Sequence, residues 1–160
     1  MDSCPLDVTQ EPFDLSKGIP FTITPNVFDE DNVREAYPVT IEADVTDPCR
    51  GSDIMKVTSD ETKGLKIATI GGESNKPDSC FQFVEADMMP GLRSYQIQLC
   101  PFKCGTNTTT SLNCYNVGLV ANDVGQKILA TTEVIYPVVF TNSFEKAVLS
   151  APNQSLTASL

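Results

Sequence analysis

Apolar and polar residues alternate along most of this chain, and the alternation predicts strands. Ile19, Phe21 and Ile23 alternate with Pro20, Thr22 and Thr24. The clearest run sets Tyr37, Val39, Ile41, Ala43 and Val45 against Pro38, Thr40, Glu42, Asp44 and Thr46. A period of two describes a strand with one buried face and one wet face. Shorter strands are expected over 54–58 and 65–70, joined by the polar turn 59–64. Tyr115, Val117, Leu119 and Ala121 alternate up to the turn "NDVGQ", and the return strand carries Ile128, Ala130, Val134 and Tyr136. "YPVVF" is expected on a sheet edge, because Pro137 donates no ladder hydrogen bond. "NSFEKAVLSA" reads as one short helix capped by Asn142 or Ser143.

The stretch "CFQFVEADMMPGLRSYQIQLC", residues 80–100, fixes a hairpin register. If Cys80 faces Cys100, then Phe81 meets Leu99, Phe83 meets Ile97 and Glu85 meets Tyr95 on one largely apolar face. Gln82–Gln98 and Val84–Gln96 fall on the other. A slip of one residue would turn every side chain of one strand over. Asp87 then lies opposite Arg93, a favourable cross-strand pair. Pro90 and Gly91 suit the centre of a type II turn, inside a loop longer than two residues or one carrying a bulge.

Short strands, frequent turns and little helix predict an all-β fold. The expected architecture is an antiparallel β-sandwich of about seven to eight strands, immunoglobulin-like or alternatively a jelly roll. Residues 1–150 form its single domain and residues 151–160 a flexible tail or linker.

Six cysteines in 160 residues add disulfide staples and an oxidising, extracellular or cell-surface compartment. The simplest pairing is Cys80–Cys100, Cys104–Cys114 and Cys4–Cys49; a rival set joins Cys49 to Cys80. Zinc is the other use of such residues, and Cys100, Cys104 and Cys114 offer three thiolates without a histidine or a C-x-x-C pair. Asn107 and Asn153 head glycosylation sequons. No apolar run approaches the ~20 residues that span a bilayer as a helix. No signal peptide is visible, and Met1 reads as an expression start before a mature segment.

The net charge of −10 argues against nucleic-acid and anionic-membrane partners, which need a basic face. With no histidine, the usual catalytic triads and most hydrolytic zinc sites are absent, and no phosphate-binding glycine loop appears. The chain is therefore expected not to be an enzyme and to carry no cofactor. Asp29, Glu30 and Asp31 gather hard oxygen ligands in one loop, a candidate calcium site without EF-hand spacing.

The hairpin tip carries Met88, Met89, Pro90, Leu92 and Arg93. Exposed apolar side chains often mark contacts, and methionine suits adaptable surfaces. These five residues are the candidate partner-binding site. The alternative is that the loop folds back and plugs an open end of the core. The expected function is non-catalytic extracellular recognition, adhesion or assembly through a protein partner, with self-assembly open through the "YPVVF" edge. One alternative is a structural subunit of an extracellular filament or coat. "DLSKGIPFTI" and "CPFKCGT" give another: these stretches resemble the lipid-recognition sandwiches related to Niemann-Pick type C and house-dust-mite allergen proteins. That resemblance implies a lipid held between two sheets.

Overall fold

The structure is a computed structural model. It describes residues 4, 6–10, 18–26, 32–45, 51–60, 64–105, 111–142 and 155–159. Among these the strands are β1 (Phe21–Pro25), β2 (Val39–Ala43), β3 (Met55–Asp60), β4 (Leu65–Ile70), β5 (Phe81–Glu85), β6 (Tyr95–Leu99), β7 (Tyr115–Ala121), β8 (Lys127–Thr131), β9 (Pro137–Asn142) and β10 (Ser155–Ser159). Two single 3-10 turns, Pro77–Ser79 and Pro101–Lys103, flank the β5–β6 hairpin.

All pairings between the strands are antiparallel, as the alternation predicts. The sandwich does not form. The strands make one continuous sheet in the order β3-β4-β8-β7-β6-β5-β2-β1-β10-β9. It curls until β9 meets β6 again, through Tyr95↔Val138 and Gln96↔Pro137. Six strands, β6-β5-β2-β1-β10-β9, thus close into a ring, with β7, β8, β4 and β3 continuing outside it. Period-two patterning says that one face is buried, not what buries it. A sheet rolled upon itself satisfies the same pattern as two sheets face to face.

The core follows from the register. Phe81↔Leu99, Phe83↔Ile97 and Glu85↔Tyr95 pair as expected. Their apolar members join Ile23, Val39, Ile41, Val117, Leu129 and Val138 in one buried cluster. Each such side chain contributes about 1.5–3 kcal/mol on full burial. A smaller cluster holds Ile67, Ile128 and Ala130. Leu6–Gln10 wedges between β4 and β8: the Val8 N–H donates to Ala68 O, and Val8 O accepts from the Leu129 N–H at 2.8 Å.

The other face of the hairpin, which carries the glutamines, is not wet throughout. Gln82 and Gln96 are buried, and a ladder of amides satisfies them. Gln82 Nε2 donates to Gln98 Oε1, and Gln98 Nε2 donates to Asn116 Oδ1. Gln96 Nε2 donates to Val117 O, while its Oε1 accepts from the Tyr136 N–H. Buried amides persist only when paired in this way.

The bridges also differ from the expected set. Cys80 bonds Cys104 and Cys100 bonds Cys114. Cys80 and Cys100 do face each other, with the Cys100 N–H on Cys80 O at 2.8 Å. Their sulfurs nonetheless leave for other partners. The β6–β7 register, Ile97↔Val117 through Leu99↔Tyr115, continues one step to place Cys100 opposite Cys114. The turn Pro101–Lys103 then returns Cys104 to within 5.8 Å of Cys80, Cα to Cα. Cys4 is also disulfide-bonded. Its expected partner Cys49 lies outside the described residues.

Two expectations at the C-terminus change. Residues 155–159 of the expected tail form β10, paired with β9 and β1. "YPVVF" is no free edge, because β9 lies between β6 and β10. Pro137 occupies the first position of its strand, where a missing N–H is tolerated. The expected helix over 142–151 falls almost wholly outside the described residues.

Candidate functional site

Two loops emerge at the same end of the ring. The loop 86–94 closes β5 to β6, and the loop 26–38 joins β1 to β2. In the first, the pairing continues past the strands: the Ala86 N–H donates to Ser94 O, and Ser94 Oγ donates back to Ala86 O. Seven residues, 87–93, remain outside the ladder. The Met88 N–H donates to Ala86 O at 2.8 Å and the Leu92 N–H to Met89 O at 3.2 Å. Gly91, at φ 77°, supplies the left-handed third position that a type II turn requires after Pro90. The expected turn is therefore present, within a longer loop. Met88 and Leu92 are 57% and 60% exposed, Met89 is half-buried, and Pro90 and Arg93 are exposed. The expected ion pair between Asp87 and Arg93 is not formed among the described residues; Arg93 turns to a cleft instead.

The second loop is described at Asn26 and from Asn32 to Pro38. Its base is closed by the Asn26 N–H on Pro38 O and by Thr40 Oγ1 on Asn26 Oδ1. Its returning limb runs beside β5. The Ala36 N–H donates to Phe83 O, and the Glu35 carboxylate accepts the Glu85 N–H at 2.7 Å. Lys103 Nζ adds a clamp, donating to Ala36 O at 2.8 Å and to Gln82 Oε1 at 2.6 Å. Ala36 takes φ 62°, a left-handed conformation that a non-glycine residue holds only when its neighbours impose it. The limb is thus held in one shape by its bonds to β5 and to the Pro101–Lys103 turn.

Between the loops lies a cleft of about 460 Å³, lined by Val33, Arg34, Glu35, Phe83, Glu85, Arg93, Tyr95 and Phe140. Phe140 meets Phe83 edge-on at 4.8 Å and Tyr95 at 5.1 Å, centroid to centroid. This is the mouth of the ring. Its rings and its four charged side chains come from three strands and both loops. Sequence reading reached the tip residues but missed Val33, Arg34 and Glu35, which the limb beside β5 brings to them, and Phe140, which the ring closure brings.

Other expected sites are not tested by this geometry. Asp29, Glu30 and Asp31, and the sequon residues Asn107 and Asn153, lie outside the described residues. Among the described residues no three His, Cys, Asp or Glu side chains gather to hold a metal ion, and no helix is long and apolar enough to cross a membrane.

Residues 1–142 match a family model described as trypsin and protease inhibitor, of the legume Kunitz type. A trypsin/chymotrypsin inhibitor of Alocasia macrorrhizos is 34% identical over 108 residues, which are 64% of this chain and 56% of that protein. The chain thus spans little more than half the length of that relative. Trypsin inhibitor DE-3 of Erythrina caffra is 28% identical over 137 residues, 82% of this chain and 71% of its own length. The crystal structure of CrataBL, a trypsin inhibitor from Crataeva tapia, superposes with a TM-score of 0.70 at 27% identity, covering 88% of this chain and 80% of that one. The curled sheet is accordingly the β-trefoil of this family and not an immunoglobulin-like fold. The matches also overturn the expected adhesion, recognition or assembly module. The lipid carrier and the filament or coat subunit find no support in them.

Proposed function

The chain belongs to the legume Kunitz family of trypsin and protease inhibitors, and on that premise we propose that it blocks a peptidase by presenting preformed loops to the enzyme's substrate cleft. The family match over residues 1–142 carries this reading. The physical support is the bracing of the two loops. A loop already held in its bound shape loses little conformational entropy on docking, which favours tight binding. Met88, Met89, Pro90, Leu92 and Arg93 form one contact surface, and the limb 32–38 beside them forms the other. A trypsin-type pocket takes a cationic side chain and a chymotrypsin-type pocket an apolar one. The exposed Arg93, Met88 and Leu92 offer both chemistries.

In this reading the protein is no enzyme, its partner is a protein, and its disulfides favour an oxidising compartment, secreted or extracellular. The acidic chain favours encounter with a basic peptidase. The test is steady-state inhibition of trypsin, chymotrypsin and subtilisin by the purified chain. Stoichiometric loss of activity for at least one is expected. Full activity of all three at a large excess of the chain would overturn the proposal. A Met88→Ser/Leu92→Ser variant that inhibits as well as the parent would remove the 86–94 loop from the contact and leave the limb 32–38.

A further inference from the structure

We propose that the mouth of the ring binds a free aromatic α-amino acid. Small-molecule sites favour the mouths of β-barrels, with roughly 300–1,000 Å³ of largely apolar space and a few placed polar groups. The cleft of about 460 Å³ meets that description, with Val33, Phe83, Tyr95 and Phe140 as its apolar lining. Phe140 meets Phe83 edge-on and Tyr95 at a tilt, and Tyr95 and Phe140, both only half-buried, are the rings a further ring would join.

The charges on the rim select the class of ligand. Glu35 is already taken by the Glu85 N–H, and Arg34 is engaged in a contact of its own. Arg93 and the Glu85 carboxylate make no hydrogen bond or ion pair among the described residues, although both line the cleft. One unused cation and one unused anion thus line the same cleft as the aromatic rings. A guanidinium receives a carboxylate in two parallel hydrogen bonds, and a carboxylate receives an ammonium. An aromatic α-amino acid carries all three complements at once. A plain aromatic acid leaves Glu85 facing like charge, and an aromatic amine leaves Arg93 facing like charge.

The test is calorimetric titration of the whole chain with L-phenylalanine, 3-phenylpropionate and 2-phenylethylammonium. L-Phenylalanine is expected to saturate the protein and to bind at least about five-fold tighter than either truncated ligand. Arg93→Gln should erase its advantage over the amine, and Glu85→Gln its advantage over the acid. Both side chains are exposed, so the fold is retained, which circular dichroism verifies. No saturation by about 10 mM L-phenylalanine overturns the proposal. Equal binding of the three ligands also overturns it, since the cleft would then be a greasy surface without charge selection.

Discussion

Glu35 holds the amide of Glu85: its Oε1 lies 2.7 Å from that nitrogen, across 50 residues of sequence. The bond ties the returning limb of one loop to the base of the other. Glu35→Ala should release it at a cost of about 1 kcal/mol, the net worth of one such bond. The expected sign is an exchange rate for the Glu85 amide raised about five-fold, with core amides unchanged. Hydrogen exchange followed by NMR measures it. An unaltered Glu85 rate would show that the limb is held by its other bonds alone.

Gly118 sits under Tyr136. A methyl at Gly118 would lie 2.6 Å from Tyr136 Cβ and 3.2 Å from Thr132 Cγ2. Gly118→Ala should therefore cost about 1–3 kcal/mol, the usual range for overpacking. Urea denaturation checks it. The same substitution in a Tyr136→Gly background should cost clearly less, because the tightest of these contacts is gone.

The bridges Cys80–Cys104 and Cys100–Cys114 predict a specific non-reducing peptide map. Digestion should yield those two cross-linked pairs and no Cys80–Cys100 product. Replacing both Cys100 and Cys114 by Ser should lower stability by about 2–4 kcal/mol, read from the denaturation midpoint.

Burial raises the pKa of the Tyr136 phenol above its ordinary value of 10.0. The unfolded chain then ionises this group at lower pH than the folded one. Its contribution is whole below pH ~10 and is lost as the pH rises through the folded value. Thermal denaturation from pH 9 to 11 should show stability falling, and Tyr136→Phe should flatten part of that fall. Equal slopes for the two proteins would remove Tyr136 as a cause.

Much of the local structure is legible in the residues. The alternation of Phe81 and Phe83 with Gln82, set against that of Leu99 and Ile97 with Gln98, fixes the β5–β6 register, because only one phase buries all four apolar side chains. Pro90-Gly91 marks the turn for an equally local reason, a fixed φ followed by a left-handed one. The closing contact of β9 with β6 is different. Val138 and Tyr95 meet only after the whole sheet has curled, and no local periodicity encodes that. The candidate site suffered most from this, since Phe140 reaches the tip loop only through closure. The cysteine pairing was within reach. The register that set Cys80 against Cys100, applied to the next hairpin, sets Cys100 against Cys114. The first facing pair is bonded through its backbone and not through its sulfurs.

Those two bridges interleave along the chain, since Cys100 lies inside the span from Cys80 to Cys104, and Cys104 lies inside the span from Cys100 to Cys114. A backbone nick anywhere between residues 80 and 114, the exposed tip included, therefore leaves its two fragments covalently joined. A cut in the exposed tip parts the backbone without parting the molecule.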